Sequence, residues 1–203
     1  MLDQITPVIL TFNEEANIGR CLDQLSWADT VVVVDSGSID RTEAICAQYK
    51  NVSFTRCPFE HHASQWTTAV EHPSVHTEWV LTLDADYILD DSFIQELESL
   101  DPGNTTTAYQ SEFIYCINGH PLPHSLYPPR VVLARKNSLS FYLDGHTQRQ
   151  KVKGEVEKLR SKLQHDDRKP ESLWQLSQQK YAEREARKLV DSIASELSWS
   201  SLT

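Results

Sequence analysis

Long apolar runs are missing from this 203-residue chain. None approaches the roughly 18 residues of a membrane span, and no charged stretch followed by an apolar one marks the start as a signal peptide. The cytoplasm is therefore the expected location. Cysteine is scarce: Cys21, Cys46, Cys57 and Cys116 are scattered with no Cys-x-x-Cys spacing. That argues against a disulfide framework or zinc site and for buried free thiols in a reducing compartment. No basic patch interleaved with aromatics is present, which disfavours nucleic acid as the main partner. Repeats and low-complexity tracts are absent as well. Basic residues are rare in the first half. Residues 1–100 hold 4 Lys+Arg against 17 Asp+Glu, whereas 101–203 hold 15 against 12, so a net charge of −10 divides into −13 and +3. An acidic half can gather metal ions, and a basic half can attract phosphates or an anionic membrane face.

What is present suits one sizeable core, with 39% hydrophobic and 24% charged residues. The central stretch is 79–86, Trp-Val-Leu-Thr-Leu-Asp-Ala-Asp. Its apolar run reads as a strand buried on both faces of a parallel sheet, and its two carboxylates fall where the strand leaves the core. Ligands bind outside the carboxyl ends of strands in open α/β sheets. Asp84 and Asp86 are two apart and share a face if the backbone is extended. Hard oxygen ligands so placed suit Mg²⁺ or Mn²⁺, with water and substrate phosphates completing the shell. The plain alternative is a solvated acidic turn.

In chain order, 5–12 reads as a strand and 13–15 as the turn into a helix over 15–25, with Ile18, Cys21, Leu22 and Leu25 on one face. Glu14 and Glu15 would favour the positive end of its dipole. A second strand, 30–34, ends in Asp35-Ser36-Gly37-Ser38, and Ser38 or Asp40 can cap the next helix, to about Tyr49. Strand 52–56, helix 63–71, the strand from Trp79 and a helix over 91–100 follow. This alternation indicates βαβ units, whose right-handed crossovers bring Phe12, Asp35 and Asp84 to one edge. After Asp101-Pro102-Gly103 the pattern changes. A long strand is expected over 107–117, a turn at Asn118-Gly119 and another strand over 131–134. The Pro- and His-rich 120–130 reads as a substrate-facing loop or a surface excursion. From 172 to 197 an apolar stripe (Leu173, Leu176, Ala182, Ala186, Leu189, Val190, Ile193, Ala194, Leu197) predicts an amphipathic helix, with Lys180, Arg184, Arg187 and Lys188 mostly off the stripe.

Three motifs stand in one order: Thr11-Phe12-Asn13-Glu14-Glu15, then 33–42 (Val-Val-Asp-Ser-Gly-Ser-Ile-Asp-Arg-Thr), then Leu83-Asp84-Ala85-Asp86. Together they resemble family 2 glycosyltransferases over about residues 5–100. Trp27-Ala28-Asp29 is similar to the bacterial branch that builds lipopolysaccharide cores and related surface glycans. The resemblance implies a GT-A (Rossmann-like) fold, a mostly parallel sheet flanked by helices. It implies a domain over 1–170, with a nucleotide-sugar half (1–100) and an acceptor half (101–170), followed by the C-terminal amphipathic helix (171–203). It also implies a metal-dependent, inverting transfer from a nucleotide-sugar donor to a surface-glycan or lipid-linked acceptor. By the same resemblance Thr11, Phe12 and Glu14 lie near base and ribose, and Asp35 against the base and its sugar. Asp86 holds the metal, and Asp84 touches ribose or ion. Gln65 and Trp66 sit where the family often meets the nucleotide, although a core role suits them equally. For Asp35 the alternative is a turn residue capping a helix.

The related core transferases carry His-Glu as part of the acceptor-side chemistry. Here His146 matches the histidine, but Thr147 replaces the glutamate. Asp144, or His146 itself, is then the candidate general base, a role that needs an acid within hydrogen-bond reach. In 165–169 (His-Asp-Asp-Arg-Lys), His165 would complete the metal site, and Arg168 or Lys169 would meet the diphosphate. A solvated helix entry with Pro170 is the alternative. The C-terminal stripe would pack on the sheet domain, or lie on the inner membrane face or a partner with Trp174 and Trp199 as anchors. Because related enzymes often continue past this point, a second subunit, as in a homodimer, could supply the acceptor side. Two other classes compete: a degenerate relative that binds sugar nucleotide or a partner without transfer, and a phosphatase of the haloacid dehalogenase class. That class carries Asp-x-Asp after its first strand; here it follows the fourth.

Overall fold

The computed structural model describes residues 1–124, 127–144, 147–173 and nine positions beyond (175, 176, 179, 182, 183, 186, 187, 189 and 190); for 143, 144, 147 and 148 it describes the backbone. Its first half alternates as the sequence predicts: β1 (Ile5–Thr11), α1 (Ile18–Asp23), β2 (Val31–Asp35), α2 (Thr42–Cys46), β3 (Val52–Arg56), α3 (His62–Val70), β4 (Trp79–Asp84), β5 (Tyr87–Ile88) and α4 (Asp91–Ser99). The second half is strand-rich: β6 (Thr106–Ser111), β7 (Phe113–Ile117), β8 (His120–Pro121), β9 (Arg130–Arg135), β10 (Leu139–Asp144), β11 (Thr147–Val152), β12 (Glu155–Lys158) and β13 (Leu163–His165).

Seven strands form the main sheet in the order β12-β6-β9-β4-β1-β2-β3. β4, β1, β2 and β3 run parallel, β9 is antiparallel to both β4 and β6, and β12 is parallel to β6. Alternation assigns the four valines of β2 to two cores. Val31 and Val33 join Ile5, Ile9, Ile18, Leu22 and Phe93 on one face. Val32 and Val34 join Val8, Trp66, Ala69 and Val80 on the other. Burial on both faces explains why these strands are apolar throughout.

Two expectations change. The long strand over 107–117 is broken at Glu112: β6 belongs to the main sheet, whereas β7 enters a second sheet of order β5-β13-β7-β8. The register shift between Tyr109 and Gln110 bends the chain there, and Leu163 N–H donates to the Glu112 carbonyl at the corner. Helix α1 begins at Ile18, not Glu15, because Asn17 spends both ends of its amide on residues 150 positions away, described below. α3 and α4 are capped by His61 Nδ1 and the Asp90 carboxylate, each 2.9 Å from a backbone N–H three residues on. Asp40, rather than Ser38, accepts from the first residue of α2, Thr42. The β10–β11 hairpin lies over α3, where Phe141 stacks on Trp66 with centroids 5.8 Å apart. Beyond Pro170 the described positions are helical, and Leu173, Leu176, Leu189 and Val190 are exposed.

Candidate functional site

Strand β1 is flanked by β2 and β4, so the chain leaves it in opposite directions and a crevice opens at its carboxyl end. The register there is Thr11↔Asp35 on one side and Leu10↔Asp84 on the other. All three polar residues therefore meet at one edge.

Asp35 is fully buried and organises the first half of that edge. One carboxylate oxygen accepts from Thr11 Oγ1 (2.9 Å) and Ser38 Oγ (2.5 Å), the other from the Gly37 and Ser38 N–H groups (2.9 and 2.8 Å). With four donors in place, this carboxylate shapes the loop. The same loop fixes its neighbour: Ser38 Oγ accepts from Asn13 N–H, Asn13 Oδ1 from Ile39 N–H, and Thr42 Oγ1 from Glu14 N–H. Asn13 has a positive φ of 55°, a conformation asparagine tolerates better than most residues. Between the loops the Phe12 ring is 57% exposed, an apolar face at the mouth of the crevice.

Beyond β4, the Asp86 carboxylate meets His165, Oδ2 to Nε2 at 3.0 Å. Among the described residues, Asp86 Oδ1 and His165 Nδ1 are both buried without a hydrogen-bond partner. Burial and the neighbouring Asp86 charge raise the Asp84 carboxyl above its usual range. Burial alone would lower His165, but the hydrogen bond and charge of Asp86, with Asp84 behind it, outweigh that and raise it. Three tyrosines surround the imidazole edge-to-face, with centroids at 4.8 Å (Tyr115), 4.9 Å (Tyr127) and 5.5 Å (Tyr87). Tyr87 and Tyr127 share a 3.0 Å hydroxyl–hydroxyl bond. The proline-rich stretch thus turns Tyr127 toward the site. Burial raises the pKa of both hydroxyls, so they remain protonated.

His165 reaches this position because the strap after β13 is tied to distant elements. Its β-ladder with β5 sets His165 opposite Tyr87, and Asp166 N–H donates to the Asp86 carbonyl. The Asp166 carboxylate, 4% exposed, accepts from Arg20 Nη2 (2.5 Å), Arg168 Nε (2.9 Å) and Gly119 N–H (2.8 Å). Burial would raise its pKa, but these bonds and both arginine charges hold it below the ordinary carboxylate range. Asn17 donates to Asp167 and accepts from Arg168 N–H, and Lys169 Nζ lies 2.5 Å from Glu14 Oε1. Burial pushes Glu14 up to about 7 against the opposing pull of Lys169 and Asn17. Gly119 has φ +80°, and a Cβ there would stand 2.2 Å from Arg168 Nη2, so glycine suits both the turn and the packing.

Of the residues singled out from sequence, Thr11, Phe12, Glu14, Asp35, Asp84, Asp86 and His165 thus gather at this edge. Arg168 lies beside it but is engaged by Asp166. Gln65 turns inward: its Nε2 donates to the Cys57 and Pro58 carbonyls (2.9 and 3.0 Å), leaving its buried oxygen without a partner. Asp144 ends β10, opposite Thr147 in the hairpin; its side chain and His146 lie outside the described residues. Asn17 and Arg20 escaped sequence reasoning, and Asp166 was read only within the polar run 165–169 as part of a solvated helix entry, since only the folded strap brings the three together. Cys21 and Cys46 are free thiols, buried as expected, and burial pushes their pKa up.

Among the described residues, no group of three or more His, Cys, Asp or Glu side chains forms a metal cage. Asp86 and His165 nevertheless fit a divalent cation. An oxygen and a nitrogen donor lie side by side, each residue has a further buried atom without a partner, and Asp84 adds negative charge. Mg²⁺-type sites commonly take one or two protein carboxylates and fill up with substrate phosphates.

Comparison with known proteins agrees with this architecture. Residues 6–160 match the Glycosyl transferase family 2 profile. A 100-residue stretch is 33% identical to the lipopolysaccharide core biosynthesis glycosyltransferase LpsC of Rhizobium meliloti (strain 1021), covering 47% of this chain and 36% of that protein. TarS (residues 1–349) of S. aureus superposes with a TM-score of 0.59 at 16% identity, covering 80% of this chain and 60% of TarS. Its complex with UDP-GlcNAc gives the same score and identity, with 82% and 59% covered. The chain thus spans little more than a third of LpsC and about three-fifths of the TarS 1–349 chains. The TarS likeness establishes a shared mixed α/β fold, and the match over 6–160 establishes that the chain belongs to glycosyl transferase family 2.

Proposed function

We propose that this chain transfers a sugar from a nucleotide-sugar donor to a surface-glycan or lipid-linked acceptor, with inversion and with Mg²⁺ or Mn²⁺ bound. The observation that carries this reading is the Asp86–His165 pair at the crevice edge, 3.0 Å apart, with unpartnered buried atoms beside Asp84. Asp86 and His165 would hold the cation, and when bound it would supply Lewis-acid stabilisation of the departing nucleoside diphosphate. The chain's own residues do the rest. The Thr11–Asp35–Ser38 loop holds the crevice in shape, Phe12 offers a face for the base, and Lys169, held by Glu14, adds positive charge near Asp86. Asp144, which ends β10, or His146 takes the proton from the acceptor hydroxyl.

The relatives support the substrate class. LpsC is named for lipopolysaccharide core biosynthesis, and a TarS structure contains UDP-GlcNAc. The same reading divides 1–170 into donor and acceptor halves and leaves 171–203 as a helix for the domain, the inner membrane face or a second copy. The exposed Leu173, Leu176, Leu189 and Val190 suit either external surface. Among the described residues no helix is long and apolar enough to cross a membrane.

Calorimetric titration with UDP-, GDP- and dTDP-sugars, with Mn²⁺ and with chelator, tests the proposal. One nucleotide should bind tightly only with metal, and Asp86→Ala should abolish that binding while the fold is kept. Unchanged Mn²⁺-dependent affinity in the variant would sink the metal assignment. Metal-dependent donor binding without turnover, across an acceptor panel, would point to the non-transferring relative.

A further inference from the structure

Arg130 begins β9, which runs antiparallel to β4 with Leu133 opposite Leu81, so Arg130 lies at the Asp84 end of the sheet. On its other side it pairs with Ser111 of β6. The carboxyl-end edge therefore reads Arg130, Asp84, Thr11, Asp35 across four neighbouring strands. Its guanidinium carbon stands 5.0 Å over the Tyr127 ring, within cation–π range. Tyr127 is fixed by the Tyr87 hydroxyl and packs against Phe113 and His165. Pro128 and Pro129 limit backbone freedom between ring and strand. Arg130 is exposed, its charge acts on Asp84, and among the described residues no carboxylate forms a salt bridge with it. Arg56, at the far edge, is by contrast occupied by Glu43.

We propose that Arg130 is an anion-recognition point for the acceptor: the sugar that receives the transfer carries a phosphate or carboxylate, and the guanidinium holds it. This rests on reading the edge as a glycosyl-transfer site. With the nucleoside over β1 and β2 and the cation beside β4, the open approach lies over β9 and β6, where Arg130 stands. A guanidinium held over a fixed ring, with no carboxylate paired to it among the described residues, can offer its N–H groups in bidentate bonds to a carboxylate or phosphate. A neutral sugar hydroxyl would gain far less from the same group. The acids beside it repel an anion, so the arginine also decides which side of the edge an anionic acceptor can approach.

The test uses the full chain with UDP and Mn²⁺, titrated by NMR with glucose, glucose 6-phosphate and glucuronate. At least one anionic probe should bind tenfold or more tighter than glucose. Arg130→Ala should erase that difference without changing the Kd for UDP, and Arg130→Lys should restore it in part. Preference for one anionic probe over the other would identify the group as phosphate or carboxylate. Equal binding of all three probes with UDP affinity intact would overturn the inference and leave the transfer reading standing. A matching loss of UDP affinity in Arg130→Ala would make the residue a donor ligand and also overturn it. Failure of wild type to bind UDP would move the same titration to GDP or dTDP, and failure to bind any of the three would overturn both.

Discussion

Replacing Asp166 by alanine separates the strap's structural work from its consequence for the metal pair. The carboxylate is 4% exposed, and its partners Arg20 and Arg168 are 33% and 39% exposed. Breaking a fully buried pair costs about 3–5 kcal/mol, and partial rehydration of two half-open arginines reduces this to about 2–3 kcal/mol. For a chain of this size that corresponds to a melting-temperature drop of about 4–12 °C. Urea unfolding at pH 7.5 measures the loss, and Mn²⁺ electron paramagnetic resonance measures the consequence. Without its anchor the strap no longer holds His165 against Asp86, so Mn²⁺ affinity should fall at least tenfold in protein that is still folded. The pH dependence has a definite sign. The folded-state pKa of Asp166 lies below the unfolded value of about 3.9, so its stabilisation is present above that value and is lost as pH falls through the folded pKa. The gap between wild type and Asp166→Asn should therefore be full at pH 7 and close under strong acid. A loss below about 1 kcal/mol, or unchanged Mn²⁺ affinity, would refute the reasoning.

Thr11→Val removes one of four donors to Asp35 and should cost about 1–2 kcal/mol in urea unfolding. Asp35→Asn turns its amide toward the donors around it and should cost more than Thr11→Val in the same assay. Gly119→Ala must bear φ +80° and displace the Arg168 guanidinium; a loss of about 1–2 kcal/mol is expected from the conformation alone. Trp66→Ala empties the contact between α3 and the β10–β11 hairpin and should cost about 3–5 kcal/mol, with loss of near-ultraviolet circular dichroism.

The donor half was legible in the sequence because its signals are local. Each parallel strand is buried on both faces and therefore apolar in an unbroken run, and each exit carries the acid or small residue its turn needs, as at Asp35-Ser36-Gly37-Ser38 and Asp84-Ala85-Asp86. The second half was legible only in part. β11 and β12 carry mostly Lys, Arg, Gln and Glu, because a hairpin or edge strand needs one apolar face at most, and 147–158 has eight such residues among its twelve. The corner at Glu112 is set by Leu163, which donates to its carbonyl from 51 residues away. No window along the chain contains that partner.

The same distinction explains the reading of individual site residues. Asp35 was noticed for its motif, and its four donors come from within three residues and from the adjoining strand, so folding itself builds the carboxylate into its loop. Asp86 was noticed for the same kind of reason, but its one side-chain partner arrives from 79 residues away and leaves an oxygen unused. A carboxylate saturated by its own loop stabilises that loop. One held by a single distant partner, with a second oxygen buried and unmatched, retains a costly polar group that a ligand can satisfy. Arg168 and Lys169 differ in the same way. Arg168 is taken by Asp166, two residues before it, while Lys169 crosses to Glu14 and lies in the field of Asp86. The count of partners separates the scaffold of this edge from the groups available for chemistry: Asp166 is saturated by Arg20 and Gly119 from 146 and 47 residues away and only anchors the strap, whereas Asp86 keeps an unmatched oxygen.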